Sequence, residues 1–132
     1  MLEQDYNLIT YKIIHCAIEV HKIPGPGLME SVYEVCLFNE MQHYGLNVER
    51  QKLLPVTYKG HSLDKEFSID QLVDNEIVLE LKSVENILPV HEAQLLTYLK
   101  LSDKKPGLLI NFNVTVLKEG VRRKINGNLN HK

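Results

Sequence analysis

The spacing of apolar residues in the first third of the chain predicts two helices. Apolar side chains recur with a period close to 3.6 over residues 8–20, which indicates a helix. The two prolines and two glycines of HKIPGPG, residues 21–27, end this helix because neither residue type continues one. A second helix is predicted over residues 28–44, followed by Gly45 at a position that favours a left-handed backbone.

Strand patterns follow the second helix. Residues 48–58, VERQKLLPVTY, are strand-like and lead into a short turn. Residues 67–73 alternate between two sets of side chains, and strict alternation places Phe67, Ile69 and Val73 on the same face of the sheet. The pattern therefore predicts a pair of neighbouring strands in this part of the chain.

The rest of the chain shows the pattern of a strand, a helix and a further strand. A polar turn leads into a strand over residues 77–83, a helix over 90–101 and the continuously apolar strand GLLINF, 107–112. A strand–helix–strand crossover joins parallel strands. We therefore predict an α/β fold with a mixed sheet flanked by helices, in the order α-α-β-β-β-α-β. A last ribbon is predicted from residues 114–117 and 121–125.

The strand EIVLELKSV carries two charges in an otherwise apolar run. Glu80 and Lys82 are two residues apart, so they project from the same face. If the preceding hairpin is symmetric about Asn75, Asp70 lies opposite Glu80, with β carbons about 4.5–5.5 Å apart. A register shifted by one residue would move Asp70 to the other face. Two ionised carboxylates this close repel, and either a raised pKa on one or a cation between them relieves the repulsion.

A divalent cation would account for this arrangement of charges. Mg²⁺ prefers oxygen ligands and commonly takes one or two carboxylates together with several waters. A bound metal lowers the pKa of water and polarises a phosphoryl oxygen. Lys82 could orient the attacking water or stabilise charge on the phosphate. Asp70, Glu80 and Lys82 therefore favour metal-assisted phosphodiester hydrolysis; the alternative is an exposed Glu80–Lys82 ion pair, which contributes little.

Composition limits the class of protein. The chain has 132 residues, 44% hydrophobic and 24% charged, which is typical of one globular domain. No apolar run approaches a membrane span and no signal-peptide pattern is present, so we expect a cytoplasmic protein without a membrane partner. Cys16 and Cys36 fall in apolar helical segments and are interpreted as reduced core residues. The six histidines show no zinc-ligand spacing.

Charge is distributed unevenly along the chain. The formal net charge is −2, but residues 97–132 carry eight basic and two acidic residues, a net charge of +6. A basic segment attracts a phosphate backbone, and such attraction weakens steeply with salt. The alternative is a solvated face followed by a basic tail over residues 122–132. The candidate nucleic-acid-binding residues are Lys100, Lys104, Lys105, Arg122 and Arg123.

The charged hairpin matches a known signature. Asp70 followed by Glu80-Leu81-Lys82 resembles the D…(D/E)-x-K signature of the PD-(D/E)XK nuclease superfamily. Ile69 stands where the name of the superfamily has proline, a variation that the superfamily tolerates. The resemblance therefore depends on the acidic pair and the lysine.

Two further motifs strengthen the resemblance. Gln94 and Tyr98 have the spacing of the Q-x-x-x-Y motif in the exonuclease-like branch of the superfamily. Gly27, Glu30 and Tyr33 have the spacing G-x-x-E-x-x-Y, which names the GxxExxY family of bacterial and archaeal proteins. The motifs occur in the order found in that family, so the chain is similar to a GxxExxY protein over most of its length.

The resemblance implies a fold and a set of roles. It implies a restriction-endonuclease-like core over residues 24–123 of a single domain spanning 1–132. Asp70 and Glu80 would bind Mg²⁺ or Mn²⁺ together with the backbone carbonyl of Leu81. The remaining roles would be a metal-shell carboxylate at Glu30, a catalytic lysine at Lys82, and site-lining side chains at Gln94 and Tyr98.

The expected function is metal-dependent hydrolysis of nucleic acid, with DNA favoured over RNA. A homodimer is plausible, and sequence specificity would come from a protein partner or be absent. Glu34, one helical turn after Glu30, is the competing carboxylate on that helix. Two other functions stay open: a catalytically silent nucleic-acid- or protein-binding module with the same fold, and a structural subunit whose acidic N-terminal half is an interaction surface.

Overall fold

The computed structural model describes residues 1–129, which form a mixed five-stranded sheet with helices against both faces. The elements in chain order are α1 (Glu3–Lys22), α2 (Glu30–His43), β1 (Val48–Tyr58), β2 (His61–Val73), β3 (Ile77–Lys82), α3 (Pro89–Ser102), β4 (Pro106–Asn111), a 3₁₀ helix (Leu117–Gly120) and β5 (Val121–Ile125). The strands lie side by side in chain order. Only β3 and β4 are parallel among these neighbours, because α3 crosses between them. The predicted α/β class with a mixed sheet is confirmed.

The structure describes part of the predicted basic tail, and its helices can be examined for a membrane span. Residues 130–132 of the predicted basic tail lie outside the described residues, and Arg122 to Lys124 of that tail belong to β5. Within residues 1–129, no helix combines the length and the apolar character that a membrane crossing requires.

The helices begin and end where local chemistry satisfies their backbone. α1 starts five residues before the predicted helix of residues 8–20, and the amide of Leu2 donates to Asp5 Oδ2 at 2.9 Å. Pro89 opens α3, where a missing N–H costs no helical hydrogen bond. Gly45 follows α2 with a φ of +92°, the left-handed conformation expected there.

Each face of the sheet carries its own hydrophobic core. On one face, Leu79 of β3 packs with buried residues of α1 and α2. On the other face, Val78 packs with Leu95 and Leu99 of α3. Successive residues of β3 therefore enter alternate cores, as in a strand buried on both faces. Glu80 follows Val78 in this alternation, so its side chain lies on the α3 face.

The two cysteines differ in environment. Cys16 is fully buried in the core formed by α1 and α2, and burial is the main reason that its pKa rises to about 11. Cys36 is exposed on α2, so the prediction that both thiols are core residues is wrong for Cys36. The apolar residues around Cys36 in sequence did not reveal that its position falls on the outer side of the helix.

The β1–β2 ribbon changes faces part of the way along its length. Val48 and Val73 pack in the core against α1 and α2, whereas Leu54 and Ile69 pack in the core against α3. Val48 and Leu54 are six residues apart, so strict alternation would keep them on one face. The change occurs at Gln51, whose φ of +45° is left-handed. The prediction that Phe67 and Ile69 share a face with Val73 is therefore wrong.

The C-terminal segment also differs from the prediction. Residues 114–117 do not form the first strand of a ribbon, because the chain passes through bends into the 3₁₀ helix before β5 pairs with β4. Gly120, the last residue of this helix, lies so close to β4 that a β carbon on it would overlap the carbonyl oxygen of Asn111. Only glycine fits between the helix and the strand at this position.

We expect Gly120→Ala to destabilise the protein by about 2–3 kcal/mol, because the added methyl group meets rigid backbone. Urea unfolding followed by circular dichroism measures the loss. Gly60→Ala is the comparison: its added β carbon has open space but a φ of +79°, so strain alone should cost about 1 kcal/mol. Equal losses in the two variants would contradict the close approach at Gly120.

Candidate active site

Asp70 and Glu80 meet where the β2–β3 hairpin opens. The hairpin has the symmetric register expected from the sequence, and its last backbone pair joins Gln71 to Leu79. Beyond that pair, side chains replace the backbone ladder: Glu80 Oε1 accepts from the Asp70 amide at 3.4 Å, and Asp70 Oδ2 accepts from the Leu81 amide at 2.7 Å. The two carboxylates therefore converge at the end of the hairpin on the α3 side.

The pair has an unusual electrostatic state. Burial, followed by the nearby Asp70 carboxylate, raises the pKa of Glu80 to about 8, and the opposing effects of the Asp70 amide and of Lys82 are smaller. A carboxyl group with that pKa is mostly protonated at neutral pH. Of the two forms of relief expected for such a pair, the raised pKa is the one present without a cation. A cation between the carboxylates would favour the ionised form and lower the pKa again.

Lys82 lies one residue beyond Leu81 on the same side of the strand as Glu80. Its side chain is half-buried, and it makes no hydrogen bond or ion pair with any residue of the described part of the chain. The predicted alternative, an exposed Glu80–Lys82 ion pair, is therefore not formed. The lysine is a cation held beside the two carboxylates with its three donors free for a ligand.

Asn111 holds the backbone that follows Lys82. It pairs with Lys82 in the parallel β3–β4 ladder and is almost fully buried. Its carboxamide accepts from the Val84 amide at 3.0 Å and donates to the Val84 carbonyl at 2.9 Å, so both backbone groups of Val84 are bound. Asn111 is not among the predicted site residues, although a polar residue at the end of an apolar strand is a sequence signal that points to such a role.

Two predicted side chains of α3 approach the acidic pair. Gln94 Nε2 donates to the Tyr98 hydroxyl at 2.9 Å, and the Tyr98 ring stacks on Phe67 with centroids 4.9 Å apart. Burial raises the pKa of Tyr98, and the charges of Glu80 and Asp70 raise it further. Tyr98 therefore lies close enough for both carboxylates to affect its pKa, and Gln94 is linked to the site through its hydrogen bond to Tyr98.

The G-x-x-E-x-x-Y motif forms a loop that is tied to the core. Tyr33 is buried and stacks on Phe112, with ring centroids 4.5 Å apart. Its hydroxyl donates to the Gly25 carbonyl at 2.5 Å and accepts from the Leu28 amide at 3.1 Å. Ser83 Oγ, next to Lys82, donates to the Leu28 carbonyl at 2.6 Å. The motif thus connects the start of α2 to the end of β3.

Glu30 is exposed at the first position of α2, where it lines an open cavity with Ser83 and Asn113. Within residues 1–129, no three Asp, Glu, His or Cys side chains lie close enough together to hold a metal ion, so Glu30 is not joined to the acidic pair. Asp70 and Glu80 nevertheless suffice for Mg²⁺, which commonly binds one or two carboxylates and keeps several waters.

The backbone supplies one more oxygen at the pair. The N–H and the C=O of one strand residue point to the same side of the strand, and the Leu81 amide donates to Asp70. The Leu81 carbonyl therefore faces the β2 side, where the carboxylates lie. Two carboxylates and a carbonyl are oxygen donors of the kind that a hard divalent cation takes, so the residues fit Mg²⁺ or Mn²⁺.

The basic residues predicted to bind nucleic acid lie in several places. Lys104 Nζ donates to the Asn75 carbonyl at 2.8 Å and Lys105 Nζ to the Asn128 carbonyl at 3.0 Å. Both lysines precede β4, at the end of the sheet opposite the carboxyl ends of β3 and β4 where Lys82 lies. Lys100 is exposed on α3. The structure therefore does not bring Lys104 and Lys105 to the acidic pair.

Arg122 and Arg123 are neighbours in β5 and face opposite sides of the sheet. Arg123 donates to Asn7 Oδ1 of α1 at 2.8 Å, so it lies on the side away from the acidic pair. Lys124, which has the same facing as Arg122, makes an ion pair with Glu92 of α3 at 2.9 Å. Arg122 therefore shares the α3 side with the acidic pair, and the five predicted basic residues do not form a single surface.

Comparison with known proteins finds a family model that matches most of this chain. A family model for the PD-(D/E)XK nuclease superfamily matches residues 7–124. No curated protein matches the sequence significantly. Among solved structures, the crystal structure of SSO0001 is similar at 22% sequence identity with a TM-score of 0.49, covering 76% of this chain and 51% of that chain. This chain thus spans about half the length of that protein, and the assignment to a family rests on the family model.

Proposed function

This chain belongs to the PD-(D/E)XK nuclease superfamily, and we propose that it is a divalent-metal-dependent nuclease that hydrolyses phosphodiester bonds. The observation that carries the proposal is the convergence of Asp70 and Glu80 at the end of the hairpin, with the half-buried Lys82 beside them and unpaired within the described residues. Ionising both carboxylates in this half-buried site is unfavourable unless a cation compensates their charge, and the Lys82 ammonium group beside them favours an anionic ligand. A divalent cation and a phosphate are the ligands that meet these two requirements.

In this proposal, Asp70, Glu80 and the Leu81 carbonyl would hold Mg²⁺ or Mn²⁺, and Glu30 would complete the metal shell directly or through water. The metal would polarise a phosphoryl oxygen of the substrate and lower the pKa of a bound water. A bound cation would favour the ionised form of Glu80, because its positive charge would offset the effects of burial and of Asp70 on the pKa of this residue. Metal affinity should therefore increase with pH up to about 8.

Lys82, Tyr98 and Gln94 then act on the substrate. The Lys82 ammonium group stabilises the negative charge that develops on the phosphate, or orients the attacking water through one of its free donors. The Tyr98 hydroxyl accepts from Gln94, which leaves its own proton available to a phosphate oxygen. Stacking on Phe67 holds the Tyr98 ring in place. These roles require no further catalytic side chain.

We further propose that the protein is a GxxExxY protein that acts on DNA rather than RNA. Gly27, Glu30 and Tyr33 support the family assignment, because Tyr33 holds the loop from which α2 and Glu30 begin. Lys100, exposed on α3, and Arg122, on the α3 side of β5, are the basic residues that would contact the phosphate backbone. Binding through such contacts should weaken steeply as salt is added.

We expect the wild-type protein to bind Mg²⁺ or Mn²⁺ in calorimetry and to cleave single- or double-stranded DNA in a reaction that EDTA stops. Asp70→Asn keeps the size of the side chain and an oxygen for the Leu81 amide but removes the charge, so both metal binding and cleavage should be lost. Asp64→Asn, on an exposed part of β2, is the matched control and should keep both.

Each other outcome of this experiment has a definite meaning. Metal binding without cleavage of DNA or RNA would identify a binding module with the same fold. Absence of metal binding in the wild-type protein would overturn the proposal. Cleavage that persists unchanged in Asp70→Asn would mean that the reaction occurs elsewhere or comes from a contaminant.

A further inference from the structure

Glu34 of α2 is a buried carboxylate that contacts both strands of the β1–β2 ribbon. It is 7% exposed, so its carboxylate oxygens need hydrogen-bond partners within the protein. Its Oε2 accepts from Arg50 Nε at 3.2 Å and its Oε1 accepts from Gln51 Nε2 at 2.7 Å, both on β1. Its backbone carbonyl accepts from Gln71 Nε2 of β2 at 2.8 Å. Glu34 therefore links α2 to both strands at the same position along the ribbon.

The ribbon crosses from one core to the other at this same position. Gln51 has a φ of +45°, a conformation that a residue with a side chain adopts only when its surroundings hold it there. The residues on either side of Gln51 pair with β2 in a register that places Gln51 opposite Asp70, yet these two residues do not pair. The Gln51 carboxamide is held at both ends, because its Oε1 accepts from Ser68 Oγ at 3.2 Å.

We propose that Glu34 is a positioning residue for Asp70. By holding Gln51 in the left-handed conformation, Glu34 fixes the point at which the ribbon crosses from one core to the other. Asp70 lies at that point in β2, so the crossing sets the direction of its carboxylate toward the Leu81 amide and Glu80. Without the carboxylate of Glu34, Gln51 relaxes toward the extended conformation and the orientation of Asp70 is lost.

The inference rests on the proposed function only in treating Asp70 as a metal ligand. The geometric part of the inference, from Glu34 to the Asp70–Leu81 hydrogen bond, can be measured in the metal-free protein. We expect Glu34→Ala to lower the hydrogen-exchange protection of the Leu81 amide about tenfold relative to the Leu79 amide in the same strand. Mn²⁺ affinity measured by calorimetry should fall about 10–100-fold, the usual effect of removing support from a metal ligand.

Rescue by glycine separates positioning from general stability. Glycine adopts a positive φ at little cost, so Gln51→Gly in the Glu34→Ala background should restore both the Leu81 protection and the Mn²⁺ affinity. Loss of stability at the contact between α2 and β1 would not be repaired by this change. Glu40→Ala, a glutamate on the same helix that makes no hydrogen bond or ion pair with β1 within residues 1–129, is the matched control and should change neither measurement. Glu34→Met, which keeps the length of the side chain but removes both acceptor oxygens, serves as the second variant should Glu34→Ala fail to fold.

The outcomes are distinct. Leu81 protection that is unchanged in Glu34→Ala, or in Glu34→Met where that variant is used, overturns the inference, as does failure of Gln51→Gly to restore it. A wild-type protein that binds no Mn²⁺ overturns the proposed function, while the Leu81 exchange still decides whether Glu34 orients Asp70.

Discussion

Lys82→Ala should abolish cleavage while leaving the fold and the metal site in place. Removing one preorganised group that stabilises charge in a transition state lowers turnover by about 10²–10³-fold. The Lys82 amine makes no hydrogen bond or ion pair within residues 1–129, so truncating the side chain breaks no such contact and removes its electrostatic effect on Glu80. Metal affinity should be retained or increased, because a positive charge next to the cation site is lost. Cleavage rates at saturating Mn²⁺, with calorimetry and a thermal melt of the same sample, test this expectation.

Lys118→Ala is the matched control for this experiment. Lys118 is exposed in the 3₁₀ helix, which packs with α1 on the other face of the sheet, and its removal should leave the cleavage rate unchanged. Full activity in Lys82→Ala would show that Lys82 has no part in the reaction. Loss of metal binding in Lys82→Ala would show instead that the lysine supports the structure of the site.

The metal-free protein should lose stability as the pH rises from about 4.5 to about 8. Glu80 has a pKa of about 8 in the folded protein and an ordinary value of 4.5 when unfolded, so the folded state alone holds the proton between these values. A folded state that binds more protons is stabilised at low pH, and its free energy of unfolding falls as the pH rises through this window. The free energy of unfolding should fall by at most about 1.4 kcal/mol per pH unit, and by several kcal/mol in total over this window.

Glu80→Gln isolates this effect because the amide cannot ionise. In EDTA, urea unfolding at pH 5, 6.5 and 8 should show a smaller decrease for Glu80→Gln than for the wild-type protein, and the variant should be the more stable of the two at pH 8. Mn²⁺ at 100 times its dissociation constant should raise the free energy of unfolding of the wild-type protein by about 2.7 kcal/mol. It should not raise that of Glu80→Gln. Parallel pH profiles for the two proteins in EDTA would mean that Glu80 is ionised in the folded state and that the acidic pair is not coupled as described.

The acidic pair was predictable because it depends on local geometry. Asp70 and Glu80 are joined by one short hairpin, and symmetry about its turn determines which residues face each other. The helices and the crossover were predictable for the same reason, since each depends on a pattern within a few turns of chain. The placement of Glu30 was not predictable, because the course of the loop before α2 depends on the buried Tyr33 hydroxyl and on Ser83.

Other predictions failed where distant segments act on each other. The alternation expected along β2 is interrupted at Asp70, opposite a left-handed glutamine that no turn signal in the sequence announces. Arg122 and Arg123 were grouped by their charge, but the pleat of β5 sends them to opposite faces. Charge in a sequence segment indicates attraction to phosphate, whereas the direction of each side chain depends on the strand to which it belongs.

The α/β class, the mixed sheet and the pairing of Asp70 with Glu80 could be inferred from the order of residues, because hydrophobic periodicity and hairpin symmetry act over short stretches of chain. The raised pKa of Glu80, the lack of a hydrogen bond or ion pair at the Lys82 amine within residues 1–129, and the bracing of Gln51 by Glu34 follow only from the folded structure. These features depend on burial and on contacts between residues far apart in the chain, and both arise only when the two cores have formed.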